Sequence, residues 1–187
     1  QLAFWCGQAS LFVVLALYLQ PGRGLDPLPS GLVVSIMAGA YLLASLRAPA
    51  LTARYGRALA AAGALILAAG HGVLLLTIAE LGVGGHVLWL APGLVLIGAG
   101  MGLCLTALNT SVLAHATPQT AGAISGAMST TQQVGNALGV AVTGVIFFGA
   151  LPGGYGHAMV ASLAELAVLL VAVAALTRLL PRPRAAS

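Results

Sequence analysis

Residues 58–79 read ALAAAGALILAAGHGVLLLTIA, an apolar run broken only by His71 and Thr77 and bounded by Arg57 and Glu80. A helix needs about 20 mainly apolar residues to cross the hydrocarbon of a bilayer, so this stretch reads as a membrane span. Five more runs of the same kind lie near residues 3–19, 31–50, 88–110, 122–149 and 158–180. The whole chain is 60% hydrophobic and 5% charged, whereas soluble domains carry roughly 25% charged residues. The bilayer is therefore its solvent. A barrel of strands would alternate apolar and polar residues over about 10 positions, and continuous runs such as 60–69 and 166–176 exclude it. The expected fold is all-α: a polytopic membrane protein in which six transmembrane helices form one bundle over residues 1–187.

Orientation follows from arginine, because short loops retain positive charge on the cytoplasmic side. The chain has no lysine. Arg47, Arg54 and Arg57 cluster around the second connector, Arg178, Arg182 and Arg184 follow the last span, and Arg23 stands alone in the first connector. Both termini are thus expected in the cytoplasm, with the chain in the plasma membrane. Trp5 and Tyr55 at inner ends, and Tyr18, Trp89 and Tyr155 at outer ends, match an interfacial aromatic belt. The net charge of +4 is divided among membrane-flanking sites rather than gathered in a basic, aromatic-interleaved stripe, so nucleic acid is not an expected partner. Cys6 and Cys104 fall inside spans without metal-ligand spacing, and His86, His115 and His157 form none either. No metal or cofactor is expected. Gln1 is not an initiator, and no charged region of the signal-peptide kind precedes the first span; the chain reads as a piece of a longer one.

An internal echo divides the spans. The first leads through Pro29 to a helix opening at Gly31, and the fourth leads through Pro118 to one opening at Gly122. Three spans form the unit, and because three is odd the two copies lie inverted in the membrane.

The residues carry a family resemblance. Tyr18-Leu-Gln20 followed by Pro27 and Gly31, Gly98-Ala-Gly-Met-Gly102, and Gly122-Ala-Ile-Ser-Gly126 leading into Thr131-Gln-Gln-Val-Gly135 and Gly139-Val-Ala141 resemble the C-terminal half of a major facilitator superfamily transporter, most closely the fourteen-span drug:proton antiporter branch. Leu51–Arg57 resembles that superfamily's loop signature in a degenerate copy, with Pro49 in place of its first glycine and Ala53 in place of its aspartate. The resemblance implies alternating-access efflux of lipophilic or cationic compounds in exchange for protons. It also implies a missing N-terminal half as partner and a central pathway lined by the first, second, fourth and fifth spans. The third and sixth spans would be peripheral.

On the fifth span Ser125, Ser129, Gln132, Gln133 and Asn136 share one helical face by their spacing. Polar side chains in hydrocarbon face other helices or a wet cavity. Two readings stay open: a substrate pathway, or hydrogen-bonded glue between helices at about 0.6 kcal/mol per bond. Gly135 and Gly139 beside them permit close approach of a neighbouring backbone. Gln8 and Phe12 on the first span, Tyr41 on the second, and Thr106 with Asn109 on the fourth are further lining candidates. Arg54, Gly56 and Arg57 make up a candidate gating loop. Glu165 is the one acidic residue within a span and hence a candidate proton site, although its place on a helix that the resemblance makes peripheral argues for an interfacial or structurally bonded group.

Two other classes share features with this chain. A self-contained six-span protein dimerising into a pore or small transporter fits the span count. A rhomboid-like intramembrane protease would pair Ser125 with His157, but Ala123 stands where that motif has glycine, and the two residues fall at opposite ends of their spans. The chain is not expected to be an enzyme.

Overall fold

In hydrocarbon the backbone has no water to bond, so an apolar run closes its hydrogen bonds within a helix. The computed structural model describes residues 2–55, 57–113, 117 and 119–179. Among these, α1 covers Leu2–Leu17, α2 Pro27–Tyr55, α3 Arg57–Leu81, α4 Ala91–Leu113, α5 Ala121–Ala150 and α6 Tyr155–Leu179, and no strand occurs among the described residues. The first five are long and apolar enough to cross a membrane, and α6 begins with a shorter apolar stretch, Tyr155–Leu170.

Helix ends differ from the expected boundaries for local reasons. α2 begins at Pro27 rather than Gly31, with the Ser30 N–H bonded to the Asp26 carbonyl at 3.1 Å. Pro27 and Pro29 sit in the first turn, where an N–H has no intrahelical acceptor to lose. At its other end α2 runs on through Pro49 to Tyr55, past the expected boundary at residue 50, and α3 begins at Arg57; Gly56 lies outside the described residues. α1 gives way to a π-turn over Tyr18–Gly22 that contains Pro21. Pro21 has no N–H to offer Leu17, and its ring crowds the preceding turn. The Arg23 N–H instead reaches Tyr18 O at 2.9 Å, and that of Leu25 reaches Leu19 O at 3.1 Å. α3 ends at Gly82, whose φ of +57° suits glycine as a helix terminator.

The helices pack by exchange between the two halves of the chain. α4 packs on α2 and α3, α1 packs on α5 and α6, and α3 meets α6. Swapping the first three helices for the last three reproduces that pattern, which is the signature of inverted three-helix repeats.

Glycines set the closest crossings, since their missing side chains let backbones approach. A Cβ on Gly102 would lie 2.7 Å from the Tyr41 carbonyl of α2, and one on Gly63 would lie 2.7 Å from the Cys104 nitrogen of α4. Gly98 meets the Met37 carbonyl in the same way. On α5, Gly135 would place a Cβ 2.7 Å from the Leu2 carbonyl of α1, and Gly139 abuts the Cys6 carbonyl. Between these crossings Leu11, Leu15, Leu67, Leu74, Leu94, Ile97 and Phe147 fill a buried core.

Tyr18 belongs to that core and not to the interfacial belt, because its ring is fully buried and its hydroxyl has a partner inside the protein. The hydroxyl donates to the Gly82 carbonyl at 2.5 Å and accepts from Arg23 Nη1 at 3.0 Å. Arg23 also bonds the Gly85 carbonyl through Nη2, and its guanidinium lies 5.8 Å from the Tyr18 ring centroid. The end of α1 is thereby tied to the α3–α4 loop. Trp89, in contrast, is exposed as the belt requires.

Candidate functional site

α5 carries two stripes. Gly135, Gly139, Thr143 and Phe147 are buried at every fourth residue; the two glycines form the seam against α1, and Thr143 bonds Glu165 of α6. Ser125, Ser129 and Gln133 are exposed, while Gln132 and Asn136 are half-buried beside the seam. The neighbouring hydroxyls of Thr130 and Thr131 turn back to their own helix, to Gly126 O at 3.0 Å and Ala127 O at 2.8 Å. Ser125, Ser129, Gln132, Gln133 and Asn136 form no side-chain hydrogen bond among the described residues, and Asn136 Oδ1 is buried without a partner.

The remaining candidates divide between two helix pairs. Gln8, 3% exposed, lies on α1 with its Oε1 unpartnered, and Phe12, one turn further, is 41% exposed. α1 and α5 pack together, so these residues and the amide face belong to one unit. Tyr41 on α2 and Asn109 on α4 are both half-buried, and their helices pack on one another. Arg54 is exposed at the end of α2, with its guanidinium 5.4 Å from the Tyr55 ring centroid. Gly56 and the side chain of Arg57 lie outside the described residues.

Glu165 is bonded within the bundle. It is half-buried and accepts a hydrogen bond from Thr143 Oγ1 at 2.8 Å. Sequence reasoning passed over Thr143, although it continues the Gly135–Gly139 spacing by one more turn. It also passed over the Tyr18–Arg23 pair, whose partners in the α3–α4 loop are far away in sequence. Among the described residues no group of His, Cys, Asp and Glu side chains has the arrangement of a metal site.

Ser125 stands near the start of α5 and His157 at the start of α6. These helices are antiparallel neighbours, so roughly 35 Å of α5 separates the two residues. No nucleophile–base contact forms. The packing is that of inverted repeats, and residues 1–140 match the family model of the Major Facilitator Superfamily.

The chain belongs to the Major Facilitator Superfamily. It is 36% identical over 156 residues to a probable actinorhodin transporter of Streptomyces coelicolor, covering 80% of this chain and 26% of that relative. It is 34% identical over 146 residues to the puromycin resistance protein pur8 of Streptomyces alboniger, covering 77% of this chain and 29% of the relative. The chain thus spans less than a third of the length of the curated relatives it matches. As a superfamily member with membrane-length apolar helices it is a multi-pass membrane protein of a transporter family, and the protease reading is set aside.

Proposed function

We propose that residues 1–187 form one six-helix bundle, the C-terminal half of a plasma-membrane exporter that moves lipophilic or cationic compounds by alternating access in exchange for protons. Its partners are the lipid bilayer and an N-terminal half on the same longer chain, and both termini of the bundle face the cytoplasm. Superfamily membership supports transport, and the two relatives, a probable actinorhodin transporter and a puromycin resistance protein, support export.

The observation that carries the substrate assignment is the unbonded amide face of α5. Helix-to-helix glue requires bonds, and Gln132, Gln133 and Asn136 make none within the described bundle. The buried, unpartnered Asn136 Oδ1 is an acceptor held ready for a donor from elsewhere, and an unmade bond to a buried polar atom costs about 1–3 kcal/mol. A compound with N–H or O–H groups entering along this face satisfies it. Exposed Phe12 offers an aromatic face to a cation. Tyr41, Asn109 and Gln8 extend the lining, and Arg54 at the end of α2 and Arg57 at the start of α3 close over it from the inner side, the role expected of the gating loop that includes Gly56.

The test uses the full-length transporter in inside-out vesicles, with puromycin and ethidium as probes. Uptake of either probe on energising the vesicles with an inward-acid proton gradient, and its collapse when the gradient is dissipated, is the expected result. Probe movement indifferent to the gradient would remove proton coupling, and no movement of either probe would remove the substrate class.

A further inference from the structure

α2 is the least enclosed of the five long helices, and one row along it is open throughout. Leu32, Gly39, Leu43, Arg47, Ala50 and Arg54 follow at intervals of three, four and seven, so they share a face, and all six are exposed. Leu32 and Leu43 are 64% and 61% exposed, and a Cβ added to Gly39 would meet nothing within 4 Å. The row is apolar for three turns and then carries two guanidinium groups in the last turns of the helix.

Those two charges are unmatched. Arg23 is engaged with Tyr18 and Gly85, but Arg47 and Arg54 have neither a hydrogen bond nor an ion pair among the described residues. Arg54 rests against the exposed ring of Tyr55, 5.4 Å from its centroid, a contact that steadies a guanidinium and leaves its N–H edges free. The chain has three acidic residues. Asp26 precedes α2 and Glu80 stands in the last turn of α3, both more than about 20 Å of helix from either arginine. The third, Glu165 on α6, accepts from Thr143 of α5. Arg47 also lies within the apolar segment, one turn past Leu43 and beside Leu46, which is 70% exposed. An arginine at that depth extends its head towards the interface and needs an anionic partner there.

α5 exposes a comparable row, Val134, Leu138, Val142 and Val145, but has no charged residue along its length. An apolar helix of the missing half suits either row, whereas acyl chains followed by a phosphate suit that of α2 alone. We propose that this row binds an anionic phospholipid, with its acyl chains along Gly39, Leu43 and Leu46 and its phosphodiester held by Arg47 and Arg54. The two side chains start about 10 Å apart along the helix and converge on one headgroup. Guanidinium pairs with phosphate oxygens through two N–H groups at once, and basic residues flanking a span draw anionic lipid. Through Arg54 the site adjoins the inner gate proposed above, yet it stands whether or not the protein exports anything.

The test uses the purified full-length transporter in detergent, with bound lipid counted by native mass spectrometry. Dioleoylphosphatidylglycerol and dioleoylphosphatidylcholine, which share acyl chains and differ in headgroup charge, are titrated in separately. Wild type should prefer the anionic lipid by about fivefold for each arginine, or about 25-fold in all. Arg47→Gln and Arg54→Gln should each reduce the preference to about fivefold, and the double variant to less than about twofold, with phosphatidylcholine binding unchanged. Inorganic phosphate in large excess should not displace the anionic lipid, because it lacks the chains that lie along the leucines. Equal binding of the two lipids by wild type would overturn the proposal, and is the result expected if a carboxylate of the missing half covers these arginines. A preference that survives in the double variant would overturn it as well, and so would displacement by inorganic phosphate, which would make the arginines a simple anion site. The wild type and the two single variants decide the matter alone if the double variant is not recovered. None of these readouts involves transport, so a failure here leaves the export reading standing.

Discussion

Gly139 of α5 lies directly against the carbonyl of Cys6 on α1, so close that a side chain at that position has no room. One turn earlier Gly135 stands in the same relation to Leu2. The α1–α5 seam is therefore a backbone contact, and its geometry depends on two absent side chains. Replacing Gly139 with Leu should separate the helices and destabilise the purified full-length protein by about 1–3 kcal/mol, the usual range for overpacking. Gly144→Ala is the control, because nothing lies within 4 Å of a Cβ there and alanine favours a helix by up to about 1 kcal/mol over glycine. A thermal unfolding comparison decides, and equal midpoints for the two variants would refute the seam.

The tie between the end of α1 and the α3–α4 loop predicts coupling between two residues. Tyr18→Phe removes the donor to Gly82 and the acceptor for Arg23, and should cost about 1 kcal/mol. Arg23→Lys should be nearly as harmful as Arg23→Ala, since an ammonium lacks the planar fork that reaches the Tyr18 hydroxyl and the Gly85 carbonyl together. In a double-mutant cycle Tyr18→Phe and Arg23→Ala should be non-additive by at least about 0.5 kcal/mol. Additive losses would mean that the two residues act separately.

For the amide face, leucine at Gln132, Gln133 or Asn136 should leave the bundle assembled, because apolar residues are favoured in a membrane helix. The order in which several compounds are exported should change. Parallel assays of efflux and of detergent stability distinguish this from glue, for which stability falls and every compound suffers alike.

Orientation is tested by cysteines introduced at Ala53 and Leu25. The native Cys6 and Cys104 are buried and give little background. A membrane-impermeant thiol reagent should reach Leu25→Cys in intact cells and Ala53→Cys only after permeabilisation. Labelling of the Ala53 site from outside would invert the topology drawn from the arginines.

The helices were legible because length and hydropathy are summed over many residues, and no single misjudged position alters the total. Their ends were less so. Pro27 and Pro29 look like breakers yet occupy the first turn of α2, and Pro49 is carried inside that helix. The amide face of α5 could be read from spacing alone, but whether its groups were bonded required the neighbouring helices. Tyr18 shows the same limit. An aromatic ring with a polar edge suits an interface as well as a core that offers one acceptor, and the acceptor here is Gly82, reached only when α3 folds beside α1. Glu165 was recognisable as unusual, while its partner Thr143 lay on a helix whose adjacency follows from the repeat packing.

That packing also governs how the protein comes into being. α1 finds its partners in α5 and α6, and α2 finds its own in α4, so the early helices enter the membrane before the helices they pack on in this bundle have been made. At a synthesis rate of roughly 5–20 residues per second, the stretch of about 120 residues from α1 to α5 takes on the order of ten seconds to appear. Throughout that interval α1 waits among lipids with Gln8 and Ser10, both destined for burial, lacking their final surroundings. A ribosomal pause or a truncation between α3 and α4 would strand a set of helices with their contact faces open, exposed to chaperones and to membrane proteases.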